Sequence, residues 1–422
     1  MRVLWLTSVQ LPAVTGEPAM TGCGWLEGLR AALAEYAPDL ELGIASWGSV
    51  AHPPLERHNA TYFSLAQPEP GGRVRRAAER WRHDFIPRGA IVEAVRVSRR
   101  FAPDVLHVHG TEHQLGLAAP AIGRPTVASL QGIASTCTAG MLTSIPCGEI
   151  ARDSLTRRFL RGNGYLHAAA DMSRRAAAER RIIAGITHFT GQTEWDEMVL
   201  RLLSPHAVYH RCTRVLQPAF YAPQPRVPSD VPTLVCTSSA APYKGLETLL
   251  TGVRLAAEAT AGELRLHVAG ALTDTTIWPF LQRLTRRLDL QDTVSWVGRL
   301  HAAALIREIA ACSAFVLPSH IENESNALLE AMLIGVPCIA AASGGVPEVL
   351  RHGRDGLLYH DTDPFELAAA LVSLLEHPER GEDLAQGARQ RALDLTDPRR
   401  GADDMMRVYD AILAGSATAR RR

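Results

Sequence analysis

The sequence predicts an α/β protein made of two doubly wound parallel sheets facing a cleft. Three observations predict it. Short apolar runs alternate with helical stretches along most of the chain, the pattern of parallel strands covered by crossover helices. At 422 residues the chain exceeds what one typical core organises, which suggests two domains. The segment YAPQPRVPSDVP, rich in proline and polar residues, interrupts the alternation at 221–232 and reads as a linker. The expected division is a first domain over 1–221, a linker over 222–232 and a second domain over 233–401. A last helix is expected at 402–415.

The elements follow in order. RVLWLTS at 2–8 has the pattern of a buried strand. TGCGWLEGLRAALAEY leads from a loop into a helix, and LELGIASW reads as the next strand. Residues 70–102 are rich in arginine and largely helical. DVLHVHG and PTVASLQG are apolar strands. Residues 150–182 read as one long helical region studded with arginine, and GITHFTGQ as the last strand of the first half. Beyond the linker come TLVCTSS, LRLHVAG, TVSWVG, SAFVLP, PCIAAA and GLLY, with helices between them. The tail SATARRR is expected to be disordered.

Composition narrows the class. Hydrophobic content of 46% and charged content of 21% are those of a globular chain in water. The formal charge is zero, so nothing global points to nucleic acid. Seven dispersed cysteines without CxxC spacing fit a reducing cytoplasm better than a disulfide scaffold. Cys137 and Cys147 flank a loop, which leaves a bridge or a shared metal open. No run of eighteen apolar residues predicts a membrane span. MRVLWLTSVQLP has no small-residue cleavage site and reads as a strand rather than a signal sequence.

The chemistry concentrates in Pro318–Tyr359, PSHIENESNALLEAMLIGVPCIAAASGGVPEVLRHGRDGLLY. Glu322 falls in a polar loop after the apolar strand SAFVLP. Glu330 falls about one turn into the helix NALLEAML. Both acids are thereby brought to the end of a strand–helix unit where α/β sheets bind ligands. Backbone N–H groups of Ser325, Asn326, Ala327 and Leu328 open that helix and favour an anion. Carboxylates there can accept hydrogen bonds from sugar or ribose hydroxyls. A second feature is Lys244 in APYKGLETLL, the sole lysine among 44 basic residues. It stands after TLVCTSS at the start of a helix, where a compact cation suits a phosphate. His107 and His109 alternate on one strand, with His113 just beyond. They read as polar residues at the cleft rim, with a metal site as the alternative.

The segment from Pro318 resembles the signature of the retaining glycosyltransferases of family 4, bacterial polysaccharide-assembly members included. The resemblance rests on Glu322, Glu330-Ala331-Met332, Gly335-Val336-Pro337, Gly344-Gly345-Val346-Pro347-Glu348, Gly353 and Gly356. It is strong over 233–360 and weaker over 1–220. It implies the GT-B fold, two Rossmann-like domains with the last helix returning to the first. It also implies transfer of a hexose, with retention, from a nucleotide-diphosphate sugar (a UDP- or GDP-sugar). The acceptor would be a hydroxyl of a saccharide or lipid-linked saccharide. Neither a metal nor a cofactor is implied.

The resemblance also implies roles for residues. Lys244 would meet the diphosphate, Glu330 the ribose and Glu322 the donor sugar. Gly24 would lie near the donor phosphates, although Cys23 replaces the first glycine of the family's pair. Gln131 stands where many members carry a histidine and Ser239 where an arginine is usual, so Arg299 is a candidate for the missing charge. These departures leave a degenerate scaffold, binding without turnover, as the alternative. Arginine-rich helices near 73–100 and 152–181 suggest contact with the inner face of a membrane from the cytoplasm.

Overall fold

Strands form where apolar runs are buried on both faces. The run RVLWLT of β1 (Arg2–Thr7) is buried from its second residue on, as a central parallel strand requires. The computed structural model describes residues 1–16, 24–48, 51–65, 88–226, 229–260, 262–273 and 275–419. The first sheet adds β2 (Glu41–Ser46), β3 (Leu55–Arg57), β4 (Ala60–Ser64), β5 (Val105–His109), β6 (Thr126–Ser129), β7 (His188–Gly191) and β8 (Val208–Arg211). Its order is β3-β4-β2-β1-β5-β6-β7-β8. All its pairs are parallel except β3 with β4. The second sheet holds β9 (Thr233–Thr237), β10 (Arg265–Ala269), β11 (Val294–Gly298), β12 (Ala314–Leu317), β13 (Cys338–Ala341) and β14 (Leu357–Tyr359). It is wholly parallel in the order β11-β10-β9-β12-β13-β14.

Six helices position the site: α1 (Gly24–Tyr36), α2 (Tyr165–Gly185), α3 (Glu194–Leu203), α4 (Leu246–Thr260), α5 (Asn326–Ile334) and α6 (Pro398–Ala419). The last of them crosses back onto the first sheet. Ala402, Met405, Val408, Tyr409 and Ile412 join a core with Val3, Trp5 and Leu33. Each valine, leucine, isoleucine or methionine among them contributes roughly 1.5–3 kcal/mol on removal from water. The Tyr409 hydroxyl accepts the Trp5 indole N–H at 3.1 Å and bonds His107 Nδ1 at 2.7 Å.

Several expectations are corrected. β7 is not the last strand of its half, because β8 pairs beyond it. β3 and β4 were not anticipated; both are short, β3 at the sheet edge and β4 between it and β2. The region 150–182 is not one helix. It breaks after Ser154 and again at Gly162-Asn163-Gly164, with Gly162 in the left-handed region at φ 75°. The tail residues up to Ala419 are helical, and 420–422 lie outside the described residues, as does the arginine-rich stretch 66–87. Within the expected linker, residues 222–226 carry no helix or strand. His107 is not at a rim. It is wholly buried between α6 and β6, bonding Ser129 Oγ at 2.6 Å. Among the described residues no helix is long and apolar enough to cross a membrane. No cluster of histidine, cysteine and acid suited to a metal occurs among them.

Candidate active site

The strand orders dictate where a site can form. The first sheet reverses direction between β1 and β5, and the second between β9 and β12. A crevice opens beyond the carboxyl ends of strands at such a switch point. Here both crevices contribute to one cleft of about 360 Å³. The loops after β1 and β5 supply Ser8, Glu112 and His113; those after β9 and β12 supply Lys244, Glu322 and Asn323.

Lys244 Nζ lies 2.5 Å from Glu322 Oε1. Burial alone would lower the ammonium's pKa. The Glu322 carboxylate, aided by Tyr243, outweighs burial and holds it above its ordinary range. Two glycines make the approach feasible. Gly245 adopts φ +66°, and a Cβ there would stand 1.9 Å from the Pro318 carbonyl oxygen. Gly344, at φ +54°, lies equally close beneath the Glu322 carbonyl. The Lys-Gly turn and the Gly-Gly-Val-Pro turn thus clamp the Glu322 loop from two sides.

That loop runs into α5. Ser325 is its N-cap and accepts the Leu328 N–H at 3.4 Å. Leu328, expected to offer an amide to an anion, is therefore already occupied. The N–H groups of Asn326 and Ala327 remain beyond the reach of any intrahelical acceptor. Asn326 lines the cleft, and its buried Oδ1 has no partner among the described residues. Glu330 lies deeper on α5, outside the cleft lining, and burial pushes its carboxyl up to about 8.

The opposite wall is assembled from the first domain. Gln131, Cys137, Met172, Arg175, Trp25 and His109 line it. Trp5, Trp25 and His107 surround the His109 ring at 4.4, 5.3 and 3.9 Å. Burial, then His107 and Arg214, hold it well below its usual pKa, so it is neutral. Among the described residues neither of its nitrogens has a partner. Glu112 is similar: its buried Oε2 is unpartnered among the described residues. Burial pushes its carboxyl to about 7, with Glu179 adding to the rise while backbone N–H groups and Arg175 oppose it. Glu179, fully buried, is instead satisfied by Thr111, Ala134 and Ser135.

Other predicted residues stand apart. Gly24 starts α1, but a Cβ there would meet the Gln217 carboxamide at 2.6 Å, so its close neighbour is protein. Cys23 lies outside the described residues. Arg299 and Ser239 are exposed and outside the cleft lining. Cys137 and Cys147 are free thiols.

Sequence reasoning missed the residue that ties the two walls. Arg214 is buried at the exit of β8. Its Nε donates to Glu324 Oε2 at 2.8 Å, Nη1 to Gln131 at 3.2 Å and Nη2 to Gln192 at 2.7 Å. Its guanidinium also lies 5.5 Å over the Trp25 ring. The Glu324 carboxyl is raised by burial against the pull of Arg214. A second tie is Glu348, whose carboxylate accepts the N–H groups of Glu194 and Trp195 at the start of α3.

Residues 219–391 match the family Glycosyl transferases group 1. The chain carries a Glycosyl transferases group 1 domain. Around this domain the whole chain has the GT-B fold. It superposes with a TM-score of 0.73 on sucrose-phosphate synthase from Thermosynechococcus elongatus, at 16% identity, over 98% of this chain and 100% of that one. The TM-score is 0.64 with Anabaena HepE in complex with UDP and glucose, also at 16% identity, over 97% and 99%. In sequence the chain is 31% identical over 201 residues to D-inositol 3-phosphate glycosyltransferase of Geodermatophilus obscurus, 46% of this chain and 44% of that protein. It is 31% identical over 168 residues to GDP-mannose-dependent monoacylated alpha-(1-6)-phosphatidylinositol monomannoside mannosyltransferase of Corynebacterium glutamicum, 38% and 42% of the two chains. The match thus spans less than half the length of either relative.

Proposed function

We propose that the protein is a retaining glycosyltransferase. It moves a hexose from a nucleotide-diphosphate sugar to a hydroxyl of a saccharide or lipid-linked saccharide. The observation that carries the reading is the Lys244–Glu322 pair at the α5 N-terminus, facing Gln131 across the cleft. A relative named as GDP-mannose-dependent, and a neighbour in complex with UDP and glucose, support a donor of this class.

The demand on the site is to stabilise a departing diphosphate and an electron-poor sugar carbon. Lys244 and the first amides of α5 supply fixed positive charge for the phosphates without a metal. Donor binding moves Lys244 from Glu322 to phosphate and frees that carboxylate for a sugar hydroxyl. Glu330, largely protonated at neutral pH, presents its carboxyl to the ribose. Gln131 cannot titrate and so orients an acceptor or donor hydroxyl rather than acting as a base. The leaving phosphate takes the acceptor proton. Closure of the two domains excludes water and aligns the partners.

Calorimetry with UDP, GDP, ADP and their sugars, with and without Mg²⁺, tests this. Metal-independent binding of one base, lost in Glu330→Ala, is expected. Binding of no nucleotide, or equal binding by the variant, would overturn the donor site. Binding with neither transfer nor donor hydrolysis would favour a scaffold.

A further inference from the structure

The chain that leads into α2 carries features the transfer reaction does not use. Residues 153–165 close on themselves. The buried Asp153 carboxylate accepts the Tyr165 N–H at 2.9 Å, and Tyr165 is packed inside. Between these ends the sequence is SLTRRFLRGNG, with three arginines and no acid. A loop whose ends meet in this way stands out from the surface as a unit.

Its side chains divide into two groups. Phe159 turns inward against His167 at 4.7 Å, and Arg158 donates to the Thr275 and Thr276 carbonyls of the second domain at 2.9 and 3.2 Å. Leu155 and Leu160 turn outward, 90% and 74% exposed, and Leu166 follows at 47%. Arg157 and Arg161 are exposed beside them. Among the described residues neither has an ion-pair partner.

A lone exposed leucine needs no explanation. Two on one tied loop, flanked by arginines and free of acids, have a defined complement: a surface apolar within and anionic at its rim. A second copy of the same loop would oppose arginine with arginine. We propose that the loop 154–164 docks on an anionic lipid bilayer. The leucines enter the acyl boundary while Arg157 and Arg161 stay with headgroup phosphates, the two signals that reversible anchoring requires. Met172 and Arg175, on the helix that follows, line the cleft. Docking therefore sets the cleft's first-domain wall beside the bilayer. The inference does not depend on the transfer reading.

Sedimentation of the full chain with phosphatidylcholine vesicles, and with mixed phosphatidylcholine–phosphatidylglycerol vesicles, tests it. Binding to the mixed vesicles only, weakening with salt, is expected. The double variant Leu155→Ser/Leu160→Ser should bind about tenfold more weakly or worse. The double variant Arg157→Gln/Arg161→Gln should lose most of the salt dependence. Both should keep the wild-type melting temperature and nucleotide affinity, since all four residues lie outside the cleft. No binding to mixed vesicles, or equal binding by both variants, would overturn the proposal. So would wild-type self-association in the absence of vesicles that the leucine variant abolishes, which would make a second copy the occupant.

Discussion

The second-domain wall of the cleft gathers its charged groups from the ends of β9 and β12, two neighbouring strands, and pairs them: Lys244 holds Glu322. The first-domain wall draws on segments from Ser8 to Arg175 and, among the described residues, leaves groups unpaired, namely both His109 nitrogens and Glu112 Oε2. A paired wall is stable when empty and must exchange one partner to bind a ligand. An unpaired wall carries the penalty of desolvated polar atoms until a ligand's hydroxyls relieve it. The two walls therefore respond differently to mutation.

The tie between them should be the most sensitive point. Arg214→Met leaves Glu324 buried without its cation and releases Gln131. Breaking a buried pair costs roughly 3–5 kcal/mol. A large fall in melting temperature is expected, and Glu324→Gln in the same chain should recover part of it. If the single variant melts like wild type, the walls are not coupled through this side chain.

Next comes the paired wall itself. Lys244→Ala removes one preorganised cation from the proposed diphosphate site, and kcat/KM should fall about 10²–10³-fold. Stability should change little, because Glu322 is then free to reach solvent. A small kinetic effect with a large loss of stability would reverse the roles given to the two walls.

Legibility in the sequence differs between the walls in the same way. Glu322 and the α5 start lie in one continuous stretch, so strand–helix logic brought them to the strand end without knowledge of any distant contact, while Glu330 in the same stretch lies outside the cleft lining. Lys244 stood out as the sole lysine. The two-sheet architecture was legible from alternation, while β3 escaped because a three-residue edge strand has little apolar pattern. Arg214 was invisible because its partners, at 131, 192 and 324, are brought together only by the fold. His107 was misread for a related reason. Alternation correctly put it on the same face as His109, but nothing local told that Tyr409 would cover it. That the Leu328 amide meets the Ser325 hydroxyl was not legible either, because a cap depends on the backbone geometry at the helix start.

The unpaired wall gives a prediction with a sign in pH. Glu112 sits at about 7 in the folded chain against an ordinary 4.5. The folded state then holds the extra proton between those values, so stability falls as pH rises from about 4.5 to about 7. Glu112→Gln removes that dependence. Its melting temperature should match wild type near pH 4.5 and exceed it at pH 8, by up to roughly 3 kcal/mol in stability. Loss of acceptor affinity in the same variant would mark Glu112 as the group whose cost the acceptor relieves. A variant less stable than wild type at pH 8 would mean that Oε2 is satisfied after all.

Glu348 should have the smallest effect, and it separates a motif's chemistry from its architecture. It belongs to the Gly-Gly-Val-Pro-Glu stretch that resembles a donor-site signature, yet its carboxylate reaches away from the cleft. It accepts the Glu194 and Trp195 N–H groups at 2.8 and 3.0 Å, and Arg211 donates to it at 3.2 Å. A carboxylate at a helix N-terminus satisfies free amides and complements the helix dipole. α3 already has its own cap, since Thr193 and Asp196 bond each other's backbone N–H groups. Glu348 therefore adds a tie between domains to a helix that would form without it. Glu348→Ala should cost only about 1 kcal/mol and leave nucleotide affinity within about twofold. Turnover should fall a few-fold, because closure loses one fixed contact while donor binding loses none. Loss of nucleotide binding instead would move Glu348 onto the donor wall and give the motif a chemical rather than an architectural role.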